Sequence, residues 1–444
     1  MMRSKKRSSA ILSVILAASL LFGCGASKET GTDKTANITA SSDITESPAT
    51  TESPASSESQ VVTEPSTVPE SSVTSESVDT TGSETLIESA ADEGSENEVS
   101  EYIAAMPLED KVAQLFYVAP EAITGVDTVT MAGATTQQAL ADNPVGGIIY
   151  FGANIVSREQ LKTRISNTKS YSRYPVFIGT DEEGGTVNRI AGSAIEAEDS
   201  LVKDVGTMKS VGATGDASKA YDAGQTIGCY MHELGFNMDF APVAGVLTDP
   251  ENKTIGTRSF GSDPALDAAM VAQFTDGLHA EDVLSCEKHF PGLGDTNVDT
   301  HTGEATTQRS LDDMRTTDFI SFGGGIDAGT DFVMVGHVSC PNVTGNNSPA
   351  SLSEKMISEV LRGELGYDGI VITDSLQMGA VTQYYSSGEA AIKTIQAGAD
   401  MLLMPEDYHE AYEAVLNAIN DGTISEERID ESLKRIYKVK LKLK

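Results

Sequence analysis

Eight continuous apolar runs recur along the chain from residue 99 onward. They read "KVAQLFYVA", "VGGIIYFGA", "PVFIGTDEE", "FNMDFAPVA", "VLSCEKHF", "FVMVGHVSC", "GIVITDSL" and "MLLMPED". Several are unbroken and rich in Val, Ile and Phe, the pattern of strands buried on both faces rather than of half-exposed ones. Most are separated by amphipathic stretches that carry helix-start signals. Ser157 with Gln160 precedes "LKTRISNTKSYS", and Ser310 is followed by Asp313 at capping-box spacing. Strand and helix alternating eight times predict an α/β fold of the (β/α)8 barrel type, with a doubly wound open sheet as the second choice. "EERIDESLKRIYKVKLKLK" then reads as the closing helix of a single catalytic domain.

In a barrel, chemistry belongs at the C-terminal ends of strands. Asp181, Asp239, Lys288 with His289, His337 and Asp374 each close an apolar run. Asp374 alone reads first as an N-cap for the helix that follows and second as a reactive carboxylate. Asp299 and His301 form a D-x-H pair, able to hold an imidazole in one tautomer and raise its pKa. Glu182, Glu183 and Glu304 are the acid candidates that the residues alone offer. "FGGGIDAG" lacks a P-loop lysine and reads as a helix end. His232, His279 and His409 fall in helix-like stretches and read as surface or packing residues. No HExxH or paired-His spacing suggests a metal, and no cofactor is expected.

At this point the motifs carry a resemblance. "KHFPGLGDTNVDTH" resembles the K-H-F-P-G-x-G, short spacer, D-[ST]-H signature of glycoside hydrolase family 3 β-N-acetylhexosaminidases. "GTDEEGGTVNRI" is similar to the family's D-x-E-G-G-x-V-x-R, "IGTRSFG" to its I-G-x-R-S-F-G, and "GIVITDSLQMGA" to its nucleophile strand. The resemblance implies that Asp374 is the nucleophile and His301 the acid/base, tuned by Asp299. It implies further that Asp181, Arg189, Arg258, Lys288 and His289 bind the sugar. A retaining exo-β-N-acetylglucosaminidase acting on peptidoglycan fragments or related β-glycosides is expected. A phosphorylase, a family 3 β-glucosidase and a turnover-impaired sugar-binding lipoprotein are its competitors. The chain departs from the pattern at Leu293, where members commonly carry His.

Composition divides the chain before that domain. "MMRSKKRSSAILSVILAASLLFGC" has a basic start, an apolar run too short to span a bilayer, and an ending that resembles a lipobox. Residues 1–23 are therefore expected to be a lipoprotein signal peptide, with Cys24 as the lipidated residue. Residues 24–98 are dominated by Ser, Thr, Glu and Pro and are predicted to be a disordered tether, roughly 45 Å in mean span for a coil of about 70 residues. Much of the formal charge of −35 lies there, and no basic excess is available to hold nucleic acid. The remaining cysteines, Cys229, Cys286 and Cys340, lack CxxC spacing and read as small hydrophobes. A monomeric, extracytoplasmic protein anchored to the membrane through Cys24 and acting on carbohydrate is the expectation.

Overall fold

The computed structural model describes residues 96–296 and 303–443. Each of the eight apolar runs contributes a strand: β1 Phe116–Val118, β2 Gly147–Ile149, β3 Phe177–Thr180, β4 Met238–Asp239, β5 Cys286–Phe290, β6 Phe332–Val335, β7 Ile370–Thr373 and β8 Leu402–Leu403. The first run is only partly strand, because its opening residues finish a helix, Leu108–Ala113, that starts behind Pro107. All eight strands pair in parallel, in two sheets ordered β8-β1-β2-β3-β4 and β7-β6-β5. Neighbours follow chain order, without the reversal a doubly wound sheet requires. Isolated parallel bridges join Met238 to Leu284 and Ile372 to Met401, linking the two sheets at both edges.

Helices connect successive strands: α1 Ala134–Asp142, α2 Arg158–Tyr171, α3 Ser218–Leu234, α4 Pro264–His279, α5 Asp318–Asp327, α6 Lys355–Glu364, α7 Ser387–Ala397 and α8 Tyr408–Asn420. A closing helix, α9 Glu426–Lys440, follows. Ser157 caps α2 with Gln160 as its reciprocal partner, and Ser310 with Asp313 caps a short helix, Leu311–Arg315. Both signals were readable because a capping box needs only a short polar pattern.

The strands are buried on both sides. Phe177 of β3 meets Phe332 of β6 edge to face at 5.1 Å, so side chains of the two sheets share one interior. Lys440 of α9 closes one end, its Nζ donating to Gln114 Oε1 at 2.7 Å over the Phe177 ring. Outside the strands, β5 sends Glu287 toward α5, buried with neither carboxyl oxygen hydrogen-bonded, and burial holds its pKa well above the carboxylate range. The room for it is supplied by Gly325, whose absent Cβ would overlap the Glu287 carboxyl. The "FGGG" run is thus interior to α5, where backbone closeness to α4 and β5 demands glycine, rather than simply a helix end. Cys286 and Cys340 are buried as read, while Cys229 is partly exposed. No helix among the described residues is long and apolar enough to cross a membrane.

Candidate active site

A cavity of about 640 Å³ opens where the C-terminal ends of these strands converge. Asp181, Arg189, Arg258, Lys288, His289 and Asp374 all line it, so six of the eight residues expected to bind or react come together there. Asp299 and His301 lie outside the described residues, as does Cys24.

Asp374 follows directly on β7. Its backbone N–H donates to Val335 O, and its Oδ1 accepts the Ser375 N–H at 2.7 Å. It caps no helix, since the next one begins at Gly379 behind Met378. Burial opposes its charge, yet the neighbouring His289 and His337 rings, the Ser375 N–H and the charge on Lys288 outweigh that and hold it below the usual carboxylate range. The group is therefore ionised and fixed, as a nucleophile must be.

His289 sits where the pairing register of β5 against β6 slips, between Lys288 and Phe290. A slip of this kind re-aims a side chain out of the ladder. Its Nε2 lies 3.9 Å from Asp374 Oδ2, and its Nδ1 is buried with no hydrogen-bond partner. Burial, reinforced by Arg258 and Lys288, pulls its pKa down to about 4 against the opposing pull of Asp374. The imidazole is neutral at neutral pH and presents an uncommitted ring nitrogen to the cavity wall.

The sign of the resulting pH dependence follows. Between pH 4 and 6.5 the unfolded imidazole binds a proton that the folded one refuses, so this residue makes stability rise with pH across that window. The expected size is on the order of 3 kcal/mol, from a shift of 6.5 to about 4. Asp239, Asp267 and Glu287, whose carboxyls burial pushes upward, act in the opposite sense. The measurement is therefore a difference: denaturant unfolding of wild type and His289→Asn, with the wild-type advantage growing from pH 4 to pH 6.5. A constant difference across that range would mean that the ring is charged in the fold.

Lys288 points inward from the same strand, and two carboxylates hold it: Asp181 Oδ1 at 2.7 Å and Glu183 Oε1 at 2.6 Å. Glu183 in turn takes Arg258 in a two-pronged pair, Nε to Oε2 at 2.7 Å and Nη2 to Oε1 at 2.8 Å. Glu183 is 1 % exposed. Burial disfavours its charge, but Arg258 and Lys288 prevail and hold it far below the carboxylate range. Lys288, penalised by burial, is likewise kept charged by Asp181 and Glu183. Arg189 reaches Asp181 Oδ2 at 3.7 Å and lies over the Phe151 ring. Two cations are thus set rigidly beside the Asp374 carboxylate, ready to grip acceptor oxygens of a polyhydroxylated ring.

Three features escaped the sequence reading. Glu183, considered as an acid, is fully committed as the brace of Lys288 and Arg258. Glu182, also considered, accepts three backbone N–H bonds, from Arg189, Ile190 and Ala191, and one from Tyr230, so it shapes the hairpin carrying Arg189. His337, which closes its apolar run but is given no role by the resemblance, is buried with Nε2 2.9 Å from Ser375 O, positioning the residue whose N–H holds Asp374. Asp239 closes its strand as read, but it is fully buried and accepts the Glu182 N–H instead of facing the cavity.

The loop after β5 is tied down at its near end. Gly292, at φ +119°, presses against Asp318, and a Cβ there would collide with that carboxyl. Asn252 Nδ2 donates to both Leu293 O and Thr296 O at 2.7 Å, stapling the loop to the segment that carries Arg258. Leu293 itself is buried and lines the cavity, so the residue standing where relatives often have His fills space there. Among the described residues no group of three or more His, Cys, Asp or Glu is arranged to hold a metal ion.

Comparison with known proteins identifies what the chain as a whole is similar to. The family model described as "Glycosyl hydrolase family 3 N terminal domain" matches residues 107–439. The beta-hexosaminidase of Stenotrophomonas maltophilia (strain R551-3) is 33% identical over 281 residues, covering 62% of this chain and 81% of that protein. Beta-hexosaminidase A of Pseudoalteromonas piscicida is 32% identical over 330 residues, which are 67% of this chain. The match spans only about half, 54%, of that relative's length. Among solved structures, a glycoside hydrolase family 3 beta-N-acetylglucosaminidase from Paenibacillus sp. str. FPU-7 superposes with a TM-score of 0.70 at 35% identity, over 76% of this chain and 62% of that one.

Proposed function

The chain belongs to glycosyl hydrolase family 3, and from that premise we propose that it is a retaining exo-β-N-acetylglucosaminidase that removes terminal GlcNAc from β-glycosides such as peptidoglycan fragments. The observation that carries the reading is the Asp374 carboxylate. It is ionised, immobilised by the Ser375 N–H, and flanked by neutral His289 and charged Lys288 and Arg258 in a cavity of about 640 Å³, ample for a sugar ring. The relatives above are likewise named beta-hexosaminidases.

In this reading Asp374 attacks the anomeric carbon to form a glycosyl-enzyme, and the glycosidic oxygen leaves with a proton. His301, with Asp299 as its partner, is assigned the proton transfer in both halves, an assignment that rests on the D-x-H motif. Asp181, Arg189, Arg258, Lys288 and His289 hold the sugar in the −1 subsite. The eight strands are read as one (β/α)8 barrel, supported by the bridges at both edges of the two sheets and by their shared aromatic interior. Residues 1–23 are read as the signal peptide and 24–98 as the tether that leads from a lipid on Cys24 to the catalytic domain, outside the cytoplasm. That reading is supported by the lipobox-like sequence alone.

The test is turnover of 4-nitrophenyl β-N-acetylglucosaminide by the full-length chain, with and without inorganic phosphate, beside the matching glucoside. Release of β-GlcNAc as the first-formed product, in either buffer, is expected. GlcNAc 1-phosphate in phosphate buffer would make the enzyme a phosphorylase, and faster turnover of the glucoside would overturn the sugar assignment.

A further inference from the structure

A second depression, of about 360 Å³, adjoins the wall of the first. Met378 lines the main cavity, and Ala380, two residues on in the short helix Gly379–Thr382, lines this groove. Tyr384 and Tyr385 form one side, and Tyr384 is 57% exposed, unusual for so large a ring. Asn347 forms the opposite side, held by the Ser339 hydroxyl donating to its carbonyl at 2.8 Å. Glu304 also lines it, directly before Ala305–Thr306, which pairs in parallel with Val338–Ser339. None of the lining residues is Lys or Arg.

We infer that this groove is an aglycone subsite that binds a second, uncharged hexopyranose ring, stacked on Tyr384 and hydrogen-bonded by Glu304. The inference rests on the glycosidase reading above and adds the substrate's other half. In a displacement at the anomeric carbon the leaving group departs away from the nucleophile and beside the proton donor. Ala380 lies six residues after Asp374, so the groove is bounded by the segment that carries the nucleophile, with Glu304 among its other lining residues. An exposed tyrosine offers a flat apolar face to the C–H surface of a pyranose while its hydroxyl stays in water. A carboxylate accepts two sugar hydroxyls well but repels an anionic aglycone, and no Lys or Arg lines the groove, Lys393 reaching only the Tyr385 ring with its Nζ 5.8 Å from the centroid. The favoured disaccharide is therefore β-1,4-linked GlcNAc–GlcNAc over one whose second ring carries a free lactyl carboxylate.

The experiment compares the full-length wild type with Tyr384→Ala and Tyr384→Phe. The substrates are chitobiose and the β-fluoride of GlcNAc, whose leaving group is too small to reach the groove. The ratio of kcat/KM for chitobiose to that for the fluoride falls at least tenfold in the alanine variant and is restored by phenylalanine. An unchanged ratio overturns the subsite. Binding is read separately by calorimetry of chitobiose in the Asp374→Ala background, where adding Tyr384→Ala weakens affinity at least tenfold; equal affinities overturn the subsite even if no variant turns over. Chitobiose bound through Tyr384 with no sugar released by wild type would sink the hydrolase reading and leave the groove standing. For charge, Glu304→Gln narrows the preference for chitobiose over the disaccharide with the free lactyl acid, and an undiminished preference removes Glu304 from the assignment.

Discussion

Asp374→Ala should reduce turnover of 4-nitrophenyl β-N-acetylglucosaminide by at least about 10⁴-fold, the scale on which removal of a covalent nucleophile registers. The expectation follows from how completely the site is arranged around this one carboxylate. Its Oδ1 is held by the Ser375 N–H, whose own residue is fixed through Ser375 O by His337. Its ionisation is maintained against burial by neighbouring positive potential. Removing the side chain leaves those elements in place, so thermal unfolding should remain cooperative while chemistry stops. The good nitrophenolate leaving group separates this role from acid catalysis, because a substrate that needs no proton still needs its nucleophile. Turnover within tenfold of wild type by a folded Asp374→Ala protein would place the nucleophile elsewhere.

Glu183→Gln carries the second large effect, and it strikes fold and function together. The amide preserves volume and one acceptor oxygen but withdraws the negative charge that pairs directly with both Lys288 and Arg258. Lys288 retains Asp181 as an ion-pair partner, whereas Arg258 loses its carboxylate and keeps the hydrogen bond to Thr254 O and at most one to the amide oxygen. Breaking a buried pair from one side typically destabilises by about 3–5 kcal/mol, because the remaining charge stays buried without compensation. Urea unfolding should show a loss of that order. Misplacing two cations in the sugar site should lower kcat/KM by roughly 10²-fold or more, since displacements near 1 Å have effects of that size. If Glu183 were instead the catalytic acid, stability would hold and the alkaline limb of the pH–rate profile would disappear.

The contrast between these two carboxylates shows how far the sequence could be read. Asp374 was legible because a continuous Val/Ile strand ending in Asp recurs in a motif, and the strand's burial fixes where that residue emerges. All eight strands were legible for the same reason: each is a continuous apolar run, and its period needs no knowledge of partners. Glu183 was not legible as a brace, because its partners lie 75 and 105 positions away and nothing local distinguishes a committed carboxylate from a reactive one. The ambiguity over Glu182 had the same source, since its ligands are backbone N–H groups of a hairpin that exists only once folded. His337 was passed over because it makes its contacts through Ser351 and Ser375, invisible at the level of spacing. Gly325 read as a break within a glycine run, whereas the Glu287 carboxyl from a neighbouring strand is what requires it.

The ladder Asp181–Lys288–Glu183–Arg258 bears on how such an enzyme can diversify. Its members are at once the floor of the sugar pocket and part of the buried framework, so a substitution that retunes recognition of the terminal sugar also strips a partner from a buried ion. Lineages exploring new glycosides would lose folded protein before gaining a new preference there. Tyr384 at the rim carries no such double duty, because it is 57% exposed and belongs to no buried ion pair. Change should therefore accumulate at the rim, leaving the identity of the released sugar nearly frozen while the group it is cut from drifts.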